Sequence, residues 1–172
     1  MKSYKSFETD RLVLQPTSIE DAAFILTLLN TPKWLKFIGD RKVRTLSEAK
    51  DYITIKMLPQ LQRLGFSNYT VIRKSDHKRV GTCGLFDREG LEGIDIGFAL
   101  LPDYEQKGYA YEAANELKNQ AGTLFGIKEL HGISLKENVG SQRLLEKLGF
   151  TFRKMTKVPN DPADLMLYSI SL

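Results

Sequence analysis

The strongest constraint on the fold is a change in hydrophobic period near Phe66. Upstream of Phe66, apolar residues recur every three or four positions, which is typical of amphipathic helices. Downstream the period becomes two, and three extended segments follow, at 69–72, 80–85 and 94–100. The links between them, at 75–78 and 88–93, are of hairpin length, and such links join antiparallel neighbours. The sequence therefore predicts a three-stranded antiparallel meander after a helical region.

Two helices are predicted before the meander. The first follows a capping-box pattern, in which the Thr17 side chain would accept a hydrogen bond from the Glu20 amide, and it ends by Pro32. The second runs from about 47 to 65. Pro59 should kink it, because proline lacks the backbone donor that a helix interior needs.

The remaining segments complete an α/β pattern. The predicted elements are a first strand at 11–16, a helix with small residues on one face at 109–125, a strand at 130–135, a short helix at 138–148 and final strands at 150–152 and 166–172. This order predicts an α/β (α+β) fold with a mixed, mostly antiparallel central sheet flanked by helices. We expect residues 1–172 to form one domain, because 172 residues suit a single core that buries roughly 70% of the unfolded surface.

Composition excludes several classes of function. The net charge of +4 is spread along the chain, and the basic cluster at 41–44 is too short for a nucleic-acid surface. The single cysteine, Cys83, cannot form an intrachain disulfide, and it favours a reducing compartment. His77 and His131 are isolated, so no metal site is expected. Because no signal peptide or membrane span is evident, we expect a cytoplasmic protein without membrane partners.

The stretch 102–110 has the character of an anion-binding loop. It leads from a strand into a helix, and the amides at a helix N-terminus lack intrahelical partners and lie at the positive end of the dipole. Gly108 and Ala110 are small enough for phosphate oxygens to approach the backbone, and Lys107 adds a positive charge. A glycine before a helix is more often only a turn residue, so the loop is informative only together with a second motif.

That second motif lies at 138–150. Together, the two stretches resemble those of the GNAT superfamily of acetyl-CoA-dependent N-acetyltransferases, and in particular the branch similar to bacterial ribosomal-protein N-terminal acetyltransferases. Gly108 and Ala110 match the family's cofactor motif, whereas Glu105 stands where the family prefers glutamine or arginine. The resemblance implies that acetyl-CoA is the co-substrate, with no metal, and that acetyl is transferred directly to a primary amine in a ternary complex.

The resemblance also assigns cofactor-binding residues. It implies that pyrophosphate binds the loop formed by Gln106, Lys107, Gly108, Tyr109 and Ala110. It implies that Asn138 binds the pantetheine arm and that Ser141 lies near the thioester sulfur, where it could donate to the leaving thiolate. Asn138 as a simple helix cap and Ser141 as a packing residue are the plain alternatives.

The strand at 94–100 corresponds to the family's central strand, which usually carries a bulge and parts from the next parallel strand. Backbone amides near Phe98, Ala99 and Leu100 would then bind the cofactor and stabilise the oxyanion. We choose Asp95 as the residue that accepts the proton of the amine, with Glu92 and Glu89 as alternatives. A partly exposed strand carboxylate on the face opposite Ile94 and Ile96 is the plain alternative for Asp95.

The identity of the acceptor stays open. A protein N-terminus follows from the resemblance alone, whereas a small amine, polyamine, amino acid or aminoglycoside would use the same cofactor half. Trp34 and Phe37 would line the acceptor pocket or belong to the core. An acyl-CoA sensor without turnover and an acyl-carrier or redox role for Cys83 are the competing hypotheses. The resemblance also allows a homodimer.

Overall fold

Eight strands form one sheet in the computed structural model, which describes residues 3–172. The strands are β1 Phe7–Glu8, β2 Leu12–Pro16, β3 Asn68–Arg73, β4 Arg79–Asp87, β5 Ile94–Leu100, β6 Glu129–Leu135, β7 Thr151–Thr156 and β8 Leu165–Ser171. Their order across the sheet is β1-β2-β3-β4-β5-β6-β8-β7. Every neighbouring pair is antiparallel except β5 and β6, which are parallel. The predicted mixed, mostly antiparallel sheet and its central meander are confirmed.

Six α-helices accompany the sheet in the described part of the chain. They are α1 Ala22–Leu29, α2 Pro32–Phe37, α3 Leu46–Tyr52, α4 Leu58–Leu64, α5 Tyr109–Thr123 and α6 Val139–Lys147. Within residues 3–172, no helix combines the length and the apolar character needed to cross a membrane.

Two hydrophobic clusters hold these layers together. The larger joins the sheet to α5 and α6, and its helix side contains the small residues Ala113, Ala114 and Ala121, none more than 1% exposed. Because these side chains are short, α5 can lie close to the sheet. The smaller cluster joins α1 to α3 and the π-helical turn that follows it, and includes Ile25 and Ile53. The larger cluster therefore packs helices on the sheet, whereas the smaller one packs α1 and α3 on each other.

The predicted second helix is present, and its irregularity lies next to Pro59. A π-helical segment, Ile53–Met57, connects α3 to α4, so that Pro59 falls in the first turn of α4. The Leu58 amide donates to Ile53 O in the π-helical register, and Pro59, which has no amide donor, follows directly where the α-helical register resumes. Gly65 then ends α4 with φ of +83°.

Three local features differ from the sequence-based expectations. Pro32 begins α2, which was not predicted, because a proline at the start of a helix looks the same in sequence as one that ends the previous helix. The chain before β2 forms the additional short strand β1. The Thr17–Glu20 capping box is wrong by one position, because Asp21 instead accepts a hydrogen bond from the Ser18 amide.

The predicted bulge in the central strand is also wrong. β5 pairs with β4 in unbroken register from Asp87↔Ile94 to Gly81↔Leu100. The register shifts lie instead between β3 and β4, at Val71/Ile72, and between β7 and β8, at Phe152/Lys154. The opening of the sheet beside β5 therefore comes from divergence of β5 and β6 after their first paired residues and needs no extra residue.

A buried polar network fixes the first helical turn to the sheet. Asp21 is 5% exposed, and its carboxylate accepts from Thr70 Oγ1 at 3.0 Å and from Arg79 Nε at 2.6 Å. Thr17 Oγ1 lies 2.9 Å from Thr70 Oγ1 and accepts from Asn68 Nδ2 at 2.9 Å. Both carboxylate oxygens of Asp21 are therefore occupied, as a buried charge requires.

We expect Asp21→Ala to lower the free energy of unfolding by about 2–4 kcal/mol, because it leaves buried donors without an acceptor. Urea denaturation followed by circular dichroism measures the change. Asp51→Ala, at an exposed position of α3, is the matched control and should stay within about 0.5 kcal/mol of the native protein. Equal effects of the two substitutions would show that the network contributes nothing.

Candidate active site

A cleft opens in the sheet where β5 and β6 separate. These parallel strands are paired only at Ile94↔Leu130 and Asp95↔His131, near their N-terminal ends. Their C-terminal ends diverge, and each then leads into a helix, α5 after β5 and α6 after β6. The N-termini of α5 and α6 therefore lie at the C-terminal ends of β5 and β6. In open sheets with parallel strands, ligands bind outside these strand ends.

The exposed edge of β5 supplies backbone donors to this cleft. The Leu101 amide donates to Val80 O of β4, at 2.9 Å. Amides two residues apart on a strand point to the same side, so that of Ala99 is also directed to β4. Those of Phe98 and Leu100 are directed to the side on which β6 has parted. Of the three predicted amides, these two are oriented toward the cleft.

The loop before α5 has the backbone conformation of an anion cradle. Gln106 and Gly108 both have positive φ, +58° and +83°, so successive amides turn toward one side. Gly108 directly precedes α5, and its conformation strains any residue with a Cβ. A Cβ there would also lie 3.2 Å from Arg11 Nη2. The conformation accounts for the glycine at this position.

Arg11 of the β1–β2 connection braces the loop. Its Nη1 donates to Lys107 O at 3.0 Å, its Nε pairs with Glu112 Oε2 at 2.7 Å, and its guanidinium lies 4.5 Å from the Tyr109 ring centre. Burial raises the pKa of Glu112, but hydrogen bonds from Thr9 and Arg11 outweigh this and lower it overall. The Tyr109 side chain is buried in the core, so only its backbone faces the loop.

The family-atypical Glu105 has a cationic partner. Its carboxylate lies 2.6 Å from Lys33 Nζ, and the two side chains are 24% and 62% exposed. Lys33 belongs to α2, the helix that the sequence did not predict. The negative charge that would repel a pyrophosphate is therefore partly compensated by a neighbouring element.

Asn138 and Ser141 lie together at the start of α6. Asn138 is the cap of this helix, and its Oδ1 accepts from the Ser141 amide at 3.3 Å. The capping alternative is thus correct for Oδ1. The Asn138 amide nitrogen and the Ser141 hydroxyl make no hydrogen bond to any of residues 3–172, and both side chains are only partly buried. They retain the hydrogen-bonding groups that a ligand would need.

Asp95 is more deeply buried than the sequence suggested. It is 1% exposed and accepts two hydrogen bonds from Arg88, from Nε and Nη2, each at 3.1 Å. It lies on the face opposite Ile94 and Ile96, which pack in the larger cluster, as alternation predicts. The plain alternative of a partly exposed carboxylate is wrong. Burial raises the pKa of Asp95, while the positive charge of Arg88 opposes this rise.

Two residues of this face, Phe86 and Arg88, were missed by the sequence analysis. A Cβ at Gly84 would overlap the Phe86 ring, and one at Gly97 would lie 2.9 Å from it. The Arg88 guanidinium lies 5.7 Å from the centre of the same ring. The paired glycines of β4 and β5 therefore leave space for an aromatic side chain. The sequence could have indicated this space only if the register of the two strands had been known.

The competing residues do not form a second site. Cys83 is 1% exposed, and burial raises the pKa of its thiol to about 12, so it remains protonated at neutral pH. His77 lies in an exposed turn, and His131 lies next to Asp95 in the register of the sheet. Trp34 packs against the smaller hydrophobic cluster. Residues 3–172 contain no group of three metal-ligating side chains.

Comparison with known proteins shows which family the chain belongs to. The model of the acetyltransferase (GNAT) domain matches residues 11–151. The uncharacterised N-acetyltransferase YjdG of Bacillus subtilis is 36% identical over 89 residues, which are 50% of this chain and 52% of YjdG. The uncharacterised N-acetyltransferase p20 of Bacillus licheniformis is 27% identical over 169 residues, covering 94% of this chain and 93% of p20.

The fold is also found in an experimental structure with coenzyme A. RimL, described as a ribosomal alpha-N-protein acetyltransferase in complex with coenzyme A, superimposes with a TM-score of 0.83 at 15% identity, covering 98% of each chain. The chain belongs to the GNAT acetyltransferase family and is an acetyl-CoA-dependent acyltransferase.

The Lys33–Glu105 pair predicts how acetyl-CoA affinity responds to charge. We expect Lys33→Met to weaken binding about 3- to 5-fold at low salt, as is typical of exposed ion pairs, because Glu105 would then face pyrophosphate uncompensated. Isothermal titration calorimetry measures the change. Adding Glu105→Gln should restore the affinity, and Lys36→Met on the same helix is the control. Equal weakening by Lys33→Met and Lys36→Met would exclude a specific role for the pair.

Proposed function

We propose that this protein transfers acetyl from acetyl-CoA directly to a primary amine in a ternary complex, with residues 1–172 acting as one catalytic domain. The observation that carries the proposal is the cleft between β5 and β6, with the N-termini of α5 and α6 at its open end. One extended ligand can reach both helix termini and the exposed edge of β5.

The cofactor half of the cleft is a binding surface made largely of backbone. We assign the pyrophosphate to the amides of residues 106–110, because positive φ at Gln106 and Gly108 favours an anion-binding concavity there. The pantetheine arm would then run along β5, where the Phe98 amide is oriented to donate a hydrogen bond to a carbonyl group of the arm. Asn138 would contact the arm from the opposite side of the cleft.

The reaction requires a neutral amine, a stabilised oxyanion and a leaving thiolate. We propose that Asp95 accepts the proton of the amine. Burial raises the pKa of Asp95, and this makes it a better base than an exposed aspartate. The Phe98 and Leu100 amides would stabilise the tetrahedral oxyanion. The Ser141 hydroxyl would donate to the departing thiolate, which is a modest task because a thiol of pKa ~8.5 is already a fair leaving group.

The acceptor half lies on the face of the sheet that carries Asp95 and Phe86. A ribosomal-protein N-terminus is one candidate acceptor, by analogy with RimL, a ribosomal alpha-N-protein acetyltransferase. A homodimer remains a proposal carried by family resemblance.

The first test is release of free CoA thiol from acetyl-CoA in the presence of peptides, polyamines, amino acids and aminoglycosides. We expect release that depends on an amine and that falls at least about 100-fold in the Asn138→Ala/Ser141→Ala double variant, since positioning and proton transfer are both impaired. Binding of acetyl-CoA without any amine-dependent release would favour a non-catalytic sensor. Absence of binding would contradict the proposal altogether.

Asp95→Asn tests the assignment of the base. It should lower kcat by about 10²- to 10⁴-fold, because Asn retains the shape but cannot accept the proton. Activity that needs ionised Asp95 must fall as pH decreases through its raised pKa, and this acid limb should be absent from the variant. Asp87→Asn, which alters a carboxylate paired with Arg63, is the matched control. An unchanged pH profile in Asp95→Asn would exclude Asp95 as the base.

A further inference from the structure

The Arg88–Asp95 ion pair lies at the point where the cleft begins. Asp95 is in the last hydrogen-bonded register position between β5 and β6, opposite His131. Its side chain is on the same face as that of Phe86, since the two residues are directly paired across β4 and β5. The pair is therefore part of the acceptor face and close to the opening of the sheet.

Arg88 is the exposed member of this pair. Its side chain is 34% exposed, whereas that of Asp95 is 1% exposed. The guanidinium uses Nε and Nη2 for Asp95, and Nη1 makes no hydrogen bond to any described residue. Arg88 thus covers Asp95 from the solvent side and presents unused donors outward. Each oxygen of Asp95 already accepts one hydrogen bond from Arg88, so an acceptor ammonium group that binds Asp95 competes with Arg88 for the same carboxylate.

We propose that the acceptor is a zwitterionic amino acid, whose carboxylate binds Arg88 while its ammonium group binds Asp95. This inference rests on the proposed transfer of acetyl to an amine. A zwitterion exchanges one internal ion pair for two intermolecular ones, so no charge is left without a partner. Guanidinium and carboxylate groups form bidentate hydrogen bonds, which makes an acceptor carboxylate a geometric equivalent of Asp95.

Other amines leave this exchange incomplete. A simple alkylamine supplies a cation for Asp95 but nothing for Arg88, which would remain charged and partly buried without its partner. A peptide N-terminus offers Arg88 only a neutral carbonyl group, which competes poorly with the Asp95 carboxylate. Breaking a buried ion pair without compensation is strongly unfavourable. The pair therefore acts as a selectivity element for the acceptor carboxylate.

The reaction balances with these groups alone. Asp95 accepts one proton from the bound ammonium group, and the resulting amine attacks the thioester carbonyl. The new C–N bond forms and the C–S bond breaks, which gives an N-acetyl amino acid and coenzyme A. The nitrogen of the tetrahedral adduct gives its second proton to the departing thiolate, which leaves as the thiol of coenzyme A, and Asp95 then releases the first proton to solvent. Arg88 stays bound to the acceptor carboxylate and transfers no proton.

The test compares matched acceptors on the full-length enzyme. Each common amino acid is assayed with its own amide and its decarboxylated amine, such as tyrosine, tyrosinamide and tyramine, and with a dipeptide of the same N-terminal residue. For the best amino acid, we expect kcat/KM to exceed that of the matched amide and amine on the order of 10- to 100-fold. In Arg88→Met this ratio should fall to near unity, and in Arg88→Lys it should be intermediate.

The ratio separates recognition from a general loss of activity, because both acceptors are measured on the same variant. Calorimetric binding of acetyl-CoA and the circular dichroism spectrum check that each variant is folded. Should Arg88→Met not fold, the Arg88→Met/Asp95→Asn double variant gives the amino-acid to amine binding ratio without a buried unpaired carboxylate. Arg63→Met, at another arginine paired with an aspartate beside this hairpin, should retain the native ratio.

Three results would overturn the inference. These are equal use of the amino acid, amide and amine by the native enzyme, a dipeptide preferred over the free amino acid, or a preference that survives in Arg88→Met. In each of them amine acetylation itself would stand. Failure of every amine to support CoA release would instead remove the proposed function, and this inference with it.

Discussion

The early separation of β5 and β6 is the constraint on which the rest of the site depends. Only two residues of each strand are paired, so most of the facing edge of β5 keeps backbone donors that the sheet does not use. The same separation leaves room between the N-termini of α5 and α6. At α6 the amides of Val139 and Ser141 already donate to Glu137 O and Asn138 Oδ1. The features that we propose to bind an elongated anionic cofactor therefore belong mainly to the backbone.

The carboxylates around the cleft are each held by a cation from another element or the next turn. Glu112 pairs with Arg11, Glu105 with Lys33, and Asp95 with Arg88. The first two pairs are partly exposed and contribute little to stability, but they reduce the repulsion that an incoming phosphate would meet. The third is buried on one side and is therefore the one whose opening has consequences. The ion pairs at the proposed cofactor loop and the ion pair of the proposed base are therefore separate and share no residue.

Sequence periodicity was sufficient to predict most of the helices and strands, and each wrong or missing prediction has a local physical cause. The meander and the helix at 109–125 were predicted because burial on one face imposes a period that survives in the sequence. Helix α2 was missed because Pro32 is compatible with both the end of one helix and the start of the next. The bulge predicted for β5 was wrong, since unbroken register with β4 follows from the packing of two specific strands and leaves no mark in one sequence.

The sequence by itself determined the meander, the order of most elements and the family, and it predicted the cofactor loop, because these depend on local conformation and on motifs that are contiguous along the chain. Gly108 before a helix and Asn138 at the next helix cap are readable in this way. The tertiary structure alone decided which charged side chains form ion pairs. Lys33 and Glu105 are 72 positions apart, and Arg88 reaches Asp95 only because a hairpin returns the chain over Phe86. Such pairings depend on three-dimensional distance, which periodicity and local propensity do not encode.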